Sequence, residues 1–293
     1  MSAISRRSVL IAGAAIPAMG AAAGAARDTG AAPRAFRTLT YEARGPVAVI
    51  TLVRPEQDNL IDEEMLPELE AVWKAFRADD TLRVAIFTAA GDTVFCGGAD
   101  TASYRNAPTP AYLRRDEGLR TYTAKQNKCW KPVIAAINGF VVGPGLHFLL
   151  DADICIAVPD ATFCDMHMHR SGAVPVIEPI EMARKIPQEA VSRMFLLGPH
   201  DPISAQRALA LGLISEIVPP DRLMARALEL AGHIAQADMH LTTAFIESFY
   251  KARELGVTEA INRGLIIRQA TGYQPAQFDG MPIRDVLRRP GKS

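Results

Sequence analysis

Histidine side chains in two short stretches of the chain have the chemistry to move protons. His147 lies in "GPGLHFLLDA", and His167 and His169 lie in "FCDMHMHRSGAVP", where Asp165 precedes them. An imidazole titrates near neutral pH, so a histidine acts as a general acid or base without the burial that a glutamate requires. Two histidines entering one pocket from separate segments would form an acid/base pair, whereas a lone histidine in an apolar helix is more often structural.

The same stretches allow two further interpretations. Asp165 and the three histidines could hold a metal ion if the H-x-H segment is extended, because alternate residues of a strand share one face. No zinc-type spacing of cysteine and histidine accompanies them, and we expect neither a metal nor a bound cofactor. Glu178 could orient a histidine or cap the helix that begins near it.

The elements that must position these residues are apolar strands alternating with helices. The clearest helix follows Asp62, its candidate N-cap, and has one apolar face made of Met65, Leu69, Val72, Trp73 and Phe76. Near-continuous apolar strands separated by helices are typical of a mostly parallel, helix-covered sheet, which predicts the α/β class. From Glu178 onward the pattern is helical. The predicted strands lie in "GPVAVITLVRP", "RVAIFTAAG", "KPVIAAING" and "ADICIAVPDATF".

Length and charge limit the function classes. The 293 residues, of which 49% are hydrophobic, suffice for one large domain or one domain with a small appendage. A formal net charge of zero gives no basis for binding nucleic acid or an anionic membrane. The expected partner is a small molecule. The four cysteines show no paired spacing, and we expect them to be buried thiols.

The N-terminus predicts a bacterial export signal. Two arginines in "SRRSVL" precede a long Ala- and Gly-rich apolar stretch that ends in small residues, a layout typical of twin-arginine signals. Pro17 breaks the apolar stretch, so we expect a cleaved signal and no stable membrane span. The protein would then be periplasmic, or cytoplasmic if the signal is spurious. We assign 1–33 to the signal and linker, 34–220 to an α/β core, and 221–293 to a C-terminal helical region and tail.

Several stretches together resemble the crotonase superfamily, the enoyl-CoA hydratase/isomerase family. They are "GPVAVITLVRPEQDNLIDEEML", "FCGGADTASY", "KPVIAAINGFVVGPGLHFLLDADICIAVPDATF" and "FLLGPHDPISAQRALALGLISEIVPPDRLMARALELAGHIA", in that order. The resemblance implies a spiral core of repeated ββα units, a C-terminal helical region, and homotrimers or hexamers. It also implies a site that binds a carbonyl, usually a thioester, and stabilises negative charge on its oxygen with two backbone N–H groups.

The resemblance assigns the two donors to two glycine-rich loops. The first is the N–H of Ala99, where Gly98 lets the backbone approach a ligand. The second falls on Pro144, between Gly143 and Gly145, and a proline has no N–H to donate. Either a neighbouring N–H turns inward, or the oxyanion hole has lost one donor. The neighbours that could donate are Gly143, Gly145 and Leu146.

The acid/base positions also depart from the family pattern. Hydratases of this family use two glutamates, and the corresponding positions here hold His147 and His167. The segment around His167 also resembles the CoA-independent β-diketone hydrolase branch, of which 6-oxocamphor hydrolase is an example. On that comparison Glu178 is a candidate catalytic carboxylate, and His169 is grouped with the substrate-binding residues.

Three functions follow as alternatives. The first is an enzyme that acts as hydratase, isomerase or thioester hydrolase on an acyl-CoA, with CoA entering only as part of the substrate. The second is a CoA-independent hydrolase that cleaves a 1,3-diketone by a retro-Claisen step. Loss of both glutamates and an export signal favour the second. The third is a non-catalytic binding protein. The paired replacement of glutamate by histidine favours a rebuilt site over a lost one.

Overall fold

Ten strands and eight α-helices form within residues 36–103, 121–171 and 174–272, the part of the chain that a computed structural model describes. The strands are β1 Leu39–Arg44, β2 Val47–Leu52, β3 Val84–Ala89, β4 Val94–Cys96, β5 Val133–Ile137, β6 Phe140–Val142, β7 Ile154–Ala157, β8 Thr162–Cys164, β9 Ile203–Ser204 and β10 Glu216–Ile217. The helices are α1 Met65–Ala78, α2 Leu146–Leu150, α3 Ile177–Met182, α4 Gln188–Leu197, α5 Ala205–Leu211, α6 Leu223–Ile234, α7 Met239–Ala252 and α8 Val257–Ala270.

The strands form two sheets. The larger has the order β1-β2-β3-β5-β7-β10 and the smaller the order β4-β6-β8-β9. All pairings are parallel except β1 with β2 and β8 with β9. Strands β3 and β5 are buried along their whole length, as expected for parallel strands covered on both faces. The predicted α/β class is confirmed.

Successive strand pairs place one strand in each sheet. The pairs β3/β4, β5/β6 and β7/β8 all follow this rule. The predicted single strand over Ala152–Phe163 is therefore wrong, because β7 and β8 belong to different sheets. Pro159 lies between them and has no N–H for a ladder, so the chain turns there.

Helix α1 packs its apolar face into the core next to α2. Its five predicted apolar residues are all buried, and Asp62 accepts a hydrogen bond from the Met65 N–H at 2.8 Å, which confirms the predicted cap. Trp73 stacks on Phe87, and Phe87 stacks on Phe148 with 4.3 Å between ring centroids. This aromatic cluster supports α2, the short helix that carries His147.

The C-terminal helices differ in how they pack. Helix α6 packs on β3 and β5. Helix α7 contacts the rest of the protein through Tyr250, whose ring lies 5.4 Å from that of Trp130, and Arg253 bonds Glu181 at 2.7 Å. Large apolar side chains on α7 and α8 are exposed, namely Phe245, Phe249, Val257, Ile261, Leu265 and Ile266.

The predicted export signal and domain boundaries cannot be compared fully with the described residues. The export signal and linker lie outside the described part, so the domain boundaries stay predictions. No helix within the described ranges is both long and apolar enough to span a membrane. All four cysteines are buried and unpaired, as predicted.

Candidate active site

A buried histidine–carboxylate pair links α2 to the start of α3. Nε2 of His147 lies 3.2 Å from Oε1 of Glu178, and the two side chains are only 5% and 7% exposed. Of the two interpretations of Glu178, the orienting one matches this contact. Its carboxylate turns inward to the imidazole, and no side-chain cap is recorded at this helix start.

Two residues from the segment before β5 determine how the His147 ring is protonated. Gln126 Oε1 accepts the Tyr122 N–H at 2.9 Å, so its amide nitrogen is the atom 3.5 Å from Nδ1 of His147. An amide NH₂ only donates, which makes Nδ1 the acceptor and leaves the proton of a neutral ring on Nε2, facing Glu178. The Tyr122 ring stacks on the imidazole, with centroids 5.2 Å apart and planes 14° from parallel.

A second histidine–carboxylate pair lies in the π-helical turn His167–Ser171. Nδ1 of His167 is 2.7 Å from Oδ2 of Asp165, whose other oxygen accepts the His167 backbone N–H at 2.9 Å. Asp165 is 1% exposed, whereas the His167 side chain is 21% exposed. The carboxylate therefore holds Nδ1 in its protonated form and aims the ring from a buried anchor.

The two pairs influence each other electrostatically. The hydrogen bond from His167 to Asp165 raises the pKa of His167 despite partial burial, and the charges of Asp165 and Glu178 act in the same direction. Burial alone would raise the pKa of Glu178. The hydrogen bond from His147 and the positive charge of both histidines outweigh it and hold that pKa below the ordinary value. The fold thus brings His147, His167 and Glu178 together, while their catalytic roles stay predictions.

The turn Gly143–Gly145 borders His167. Gly143 has a φ of +48°, and a Cβ there would lie 3.5 Å from Cε1 of His167. Pro144 is the second residue of the turn. The Leu146 N–H bonds Gly143 O and Pro144 O, so it does not replace the missing donor. A Cβ on Gly145 would lie 2.9 Å from Cys96 O, so this glycine permits close packing on β4.

The loop after β4 meets the same turn. Gly98 has a φ of +96°, which a glycine adopts readily, and a Cβ there would be 3.2 Å from Val142 O and 3.5 Å from Pro144 Cδ. A bridge to Ile61 fixes the loop, because Ile61 donates to Gly98 O and accepts from Asp100 N–H. Among the described residues, no hydrogen bond uses the Ala99 N–H. Its role as a donor to substrate stays a prediction.

His169 requires a correction. The sequence comparison groups it with the substrate-binding residues, and the metal interpretation requires an extended H-x-H segment. The segment is instead a helical turn, so residues two apart point to different sides. The His169 ring is exposed, lies 3.0 Å from Leu196 O and contacts His200 edge-on. Within the described ranges, no group of three or more His, Cys, Asp or Glu side chains is arranged to hold a metal.

Three residues around the histidines were not predicted as site residues. Tyr122 and Gln126 lie in an irregular segment with no helical or strand periodicity, so no pattern could single them out. Asp165 was considered only as a metal ligand. Its position two residues before His167 is a signal that could have been used, because an aspartate often bonds the backbone N–H two residues ahead.

Comparisons with known proteins match this architecture. The family described as enoyl-CoA hydratase/isomerase matches residues 42–271. (E)-benzylidenesuccinyl-CoA hydratase from Thauera aromatica is 33% identical over 234 residues, which cover 78% of this chain and 86% of that protein. Carnitinyl-CoA dehydratase from Proteus mirabilis is 34% identical over 226 residues, covering 76% and 84%.

A solved structure agrees. An enoyl-CoA hydratase/isomerase from Mycobacterium paratuberculosis superposes with a TM-score of 0.74 at 32% identity, covering 88% of this chain and 98% of that one. None of these three proteins is named a β-diketone hydrolase, so the likeness to that branch stays a prediction from the sequence. The matched length, the identity and the shared fold together show that this chain belongs to the enoyl-CoA hydratase/isomerase family of the crotonase superfamily.

Proposed function

We propose that the protein is a hydratase or dehydratase of an acyl-CoA thioester. One observation carries the proposal: two histidine–carboxylate pairs stand where the family resemblance expects two proton-transferring glutamates. The chemistry that the relatives' names describe, addition or removal of water next to a thioester, needs two such groups. It needs no cofactor beyond the CoA of the substrate.

The two pairs divide the proton transfers of hydration. His147, whose proton faces Glu178, accepts a proton at Nδ1 from a water that takes the place of the Gln126 amide at that nitrogen, as the water oxygen bonds the β-carbon. Glu178 stabilises the resulting imidazolium. The electrons of the double bond move onto the thioester oxygen, which becomes an enolate beside the Ala99 N–H. His167 then gives a proton to the α-carbon and the carbonyl re-forms. Dehydration runs through the same steps in reverse.

A panel of 2-enoyl-CoA substrates tests this function. The panel includes short-chain, aromatic and carnitine-derived acyl groups, in keeping with the relatives, and hydration is followed by loss of the conjugated thioester absorbance. Calorimetric titration with an unreactive acyl-CoA analogue measures binding separately. Micromolar binding with turnover of any member supports the proposal. Absence of both overturns it.

A CoA-independent 1,3-diketone hydrolase is the second candidate. The replacement of both glutamates favours it, as does the proposed export, because CoA thioesters are cytoplasmic metabolites. In this reaction water activated by His147 attacks one carbonyl, the carbon–carbon bond breaks, and the leaving enolate occupies the oxyanion site. A protein that ignores acyl-CoA but cleaves a cyclic 1,3-diketone has this function.

We also propose export and a homotrimer or hexamer. The twin-arginine motif supports export, and fractionation of cells producing the full chain tests it, with periplasmic protein as the expected result. The exposed apolar side chains of α7 and α8 support assembly, because so many large apolar side chains on two helices are rarely left in water. Sedimentation at several concentrations tests it, and a monomer at all of them contradicts it.

A further inference from the structure

Pro144 leaves the candidate active site without one of its two expected backbone hydrogen-bond donors. The enolate oxygen needs two donors, and the residue at the second position has no N–H. The Leu146 N–H is used inside the turn. Of the three neighbours that could have replaced the missing donor, Gly143 and Gly145 remain.

The His167 ring lies beside the turn in which the donor is missing. A Cβ on Gly143 would be 3.5 Å from its Cε1 and 3.9 Å from its Nδ1, so the imidazole packs directly against the residue before Pro144. On the other side, Pro144 itself packs against Gly98, the residue before the Ala99 donor. The loop that carries the first donor, the proline and the imidazole therefore follow one another in direct contact along this turn.

Asp165 gives this imidazole a fixed position and favours its positively charged form. Its carboxylate is almost fully buried, holds Nδ1 at 2.7 Å and bonds the backbone of the same residue at 2.9 Å. The raised pKa of His167 agrees with this contact. The described ionisable groups acting on the ring are Asp165 on its own segment and Glu178 on α3, and both are acidic.

We propose that the imidazolium of His167, anchored by Asp165, stabilises the enolate oxygen in place of the backbone donor that Pro144 removes. Asp165 is a positioning residue in this arrangement, because it acts only through His167. The inference deepens the proposed function and rests on it for the carbonyl substrate. His167 keeps its proton while the enolate exists and releases it only when the α-carbon is protonated.

An enolate probe measures this stabilisation without turnover. Acetoacetyl-CoA loses a C–H proton to solvent, the electron pair moves onto oxygen, and the enolate absorbs in the near ultraviolet. Its apparent pKa when bound reports how well the protein stabilises the oxygen. His167→Leu, which has similar size but no donor, should reduce the enolate equilibrium constant by at least about tenfold. Asp165→Asn should cause a smaller fall and flatten its dependence on pH.

Restoring the backbone donor gives the decisive comparison. In His167→Leu/Pro144→Gly, residue 144 regains an N–H at the second position of the turn, where no acceptor within the turn can take it. At least about half of the lost stabilisation, on a logarithmic scale, should return. Pro199→Gly is the matched control, since Pro199 is exposed and holds the same position in the turn Gly198–His200. It should restore nothing.

The outcomes separate this inference from the proposed function. If acetoacetyl-CoA does not bind, the acyl-CoA function fails, and the same titration with cyclohexane-1,3-dione tests the inference on a CoA-free enolate. If His167→Leu leaves the enolate unchanged, or if Pro144→Gly restores nothing in a variant that melts normally, the inference is overturned. A backbone N–H of Gly143 or Gly145 is then the second donor. A protein that binds neither compound overturns both.

Discussion

The buried pair between His147 and Glu178 gives a prediction whose size follows from its burial. The pair is joined at 3.2 Å and both side chains are more than nine-tenths buried. Glu178→Gln keeps the size and an acceptor oxygen but removes the charge. His147→Leu removes the imidazole and leaves the carboxylate buried without its partner. The double variant has neither the imidazole nor the charge.

The two single substitutions should lower the free energy of unfolding by different amounts. A hydrogen bond to a charged group contributes about 1.5–3 kcal/mol and a neutral one about 0.5–1.5 kcal/mol, so Glu178→Gln should lower the free energy of unfolding by about 1–2 kcal/mol. His147→Leu should cost about 3–5 kcal/mol, because it strands a buried charge. The double variant should be more stable than the sum predicts, with a coupling energy of about 1–3 kcal/mol.

Urea unfolding at pH 7 measures all four proteins, with the slope of each transition checked for a change in the unfolded state. A parallel cycle on Glu70 and Lys74, an exposed ion pair on α1, supplies the control. That pair should couple by only about 0.3–0.5 kcal/mol.

Additivity would refute this reasoning. If the double variant of His147 and Glu178 equals the sum of the single variants within about 0.5 kcal/mol, the two residues do not act as a pair. The contact would then contribute nothing to the stability of α2 against α3.

Three further predictions concern activity, pH and backbone strain. His147→Ala and His167→Ala should each reduce turnover at least about 100-fold, measured as kcat on the preferred substrate. The pKa of His167 is raised on folding, so its contribution to stability is fully present below the ordinary value of 6.5 and is lost as the pH rises through the folded value. Asp165→Asn should therefore lower the melting temperature more at pH 6 than at pH 9. Gly98→Ala should destabilise by about 1–3 kcal/mol in urea, more than Gly45→Ala, because both have positive φ but only Gly98 also faces a close backbone atom.

Each of these has a result that would contradict it. His233→Gln, on the exposed face of α6, is the control for the activity test, and full turnover in both histidine variants would remove them from the mechanism. Equal melting shifts at the two pH values would show that Asp165 does not hold the His167 charge. Equal losses in the two glycine variants would mean that contact with Val142 adds no strain.

The elements with strong periodicity were predictable from sequence. The buried face of α1 and its cap at Asp62 followed from helical spacing, and the long apolar strands followed from their composition. These features depend on local preferences and on one face being buried, which a sequence records directly. The division of residues 152–163 between two sheets depends on which partner each half pairs with, and periodicity carries no such information.

The sequence predicts which histidines belong to the site but not which residues contact them. His147 and His167 occupy positions that the family resemblance identifies, and the sequence also makes Glu178 a candidate. Gln126 approaches His147 from an irregular segment, a contact set by tertiary packing alone. The direction of His169 depended on whether its segment is extended or helical, and the π-helical turn reversed the expectation.

The aromatic cluster behind α2 gives the protein an internal optical reporter. Trp73 is one of two tryptophans in the chain, and it is fully buried. Its indole N–H donates to the carbonyl of Tyr122 at 2.8 Å, and the Tyr122 ring stacks on His147. Tryptophan emission responds to polarity and to neighbouring hydrogen bonds, so the fluorescence of Trp73 should change when the imidazole gains or loses a proton. Trp130→Phe isolates that signal, and a pH titration of its emission would follow the ionisation of the active site without any substrate.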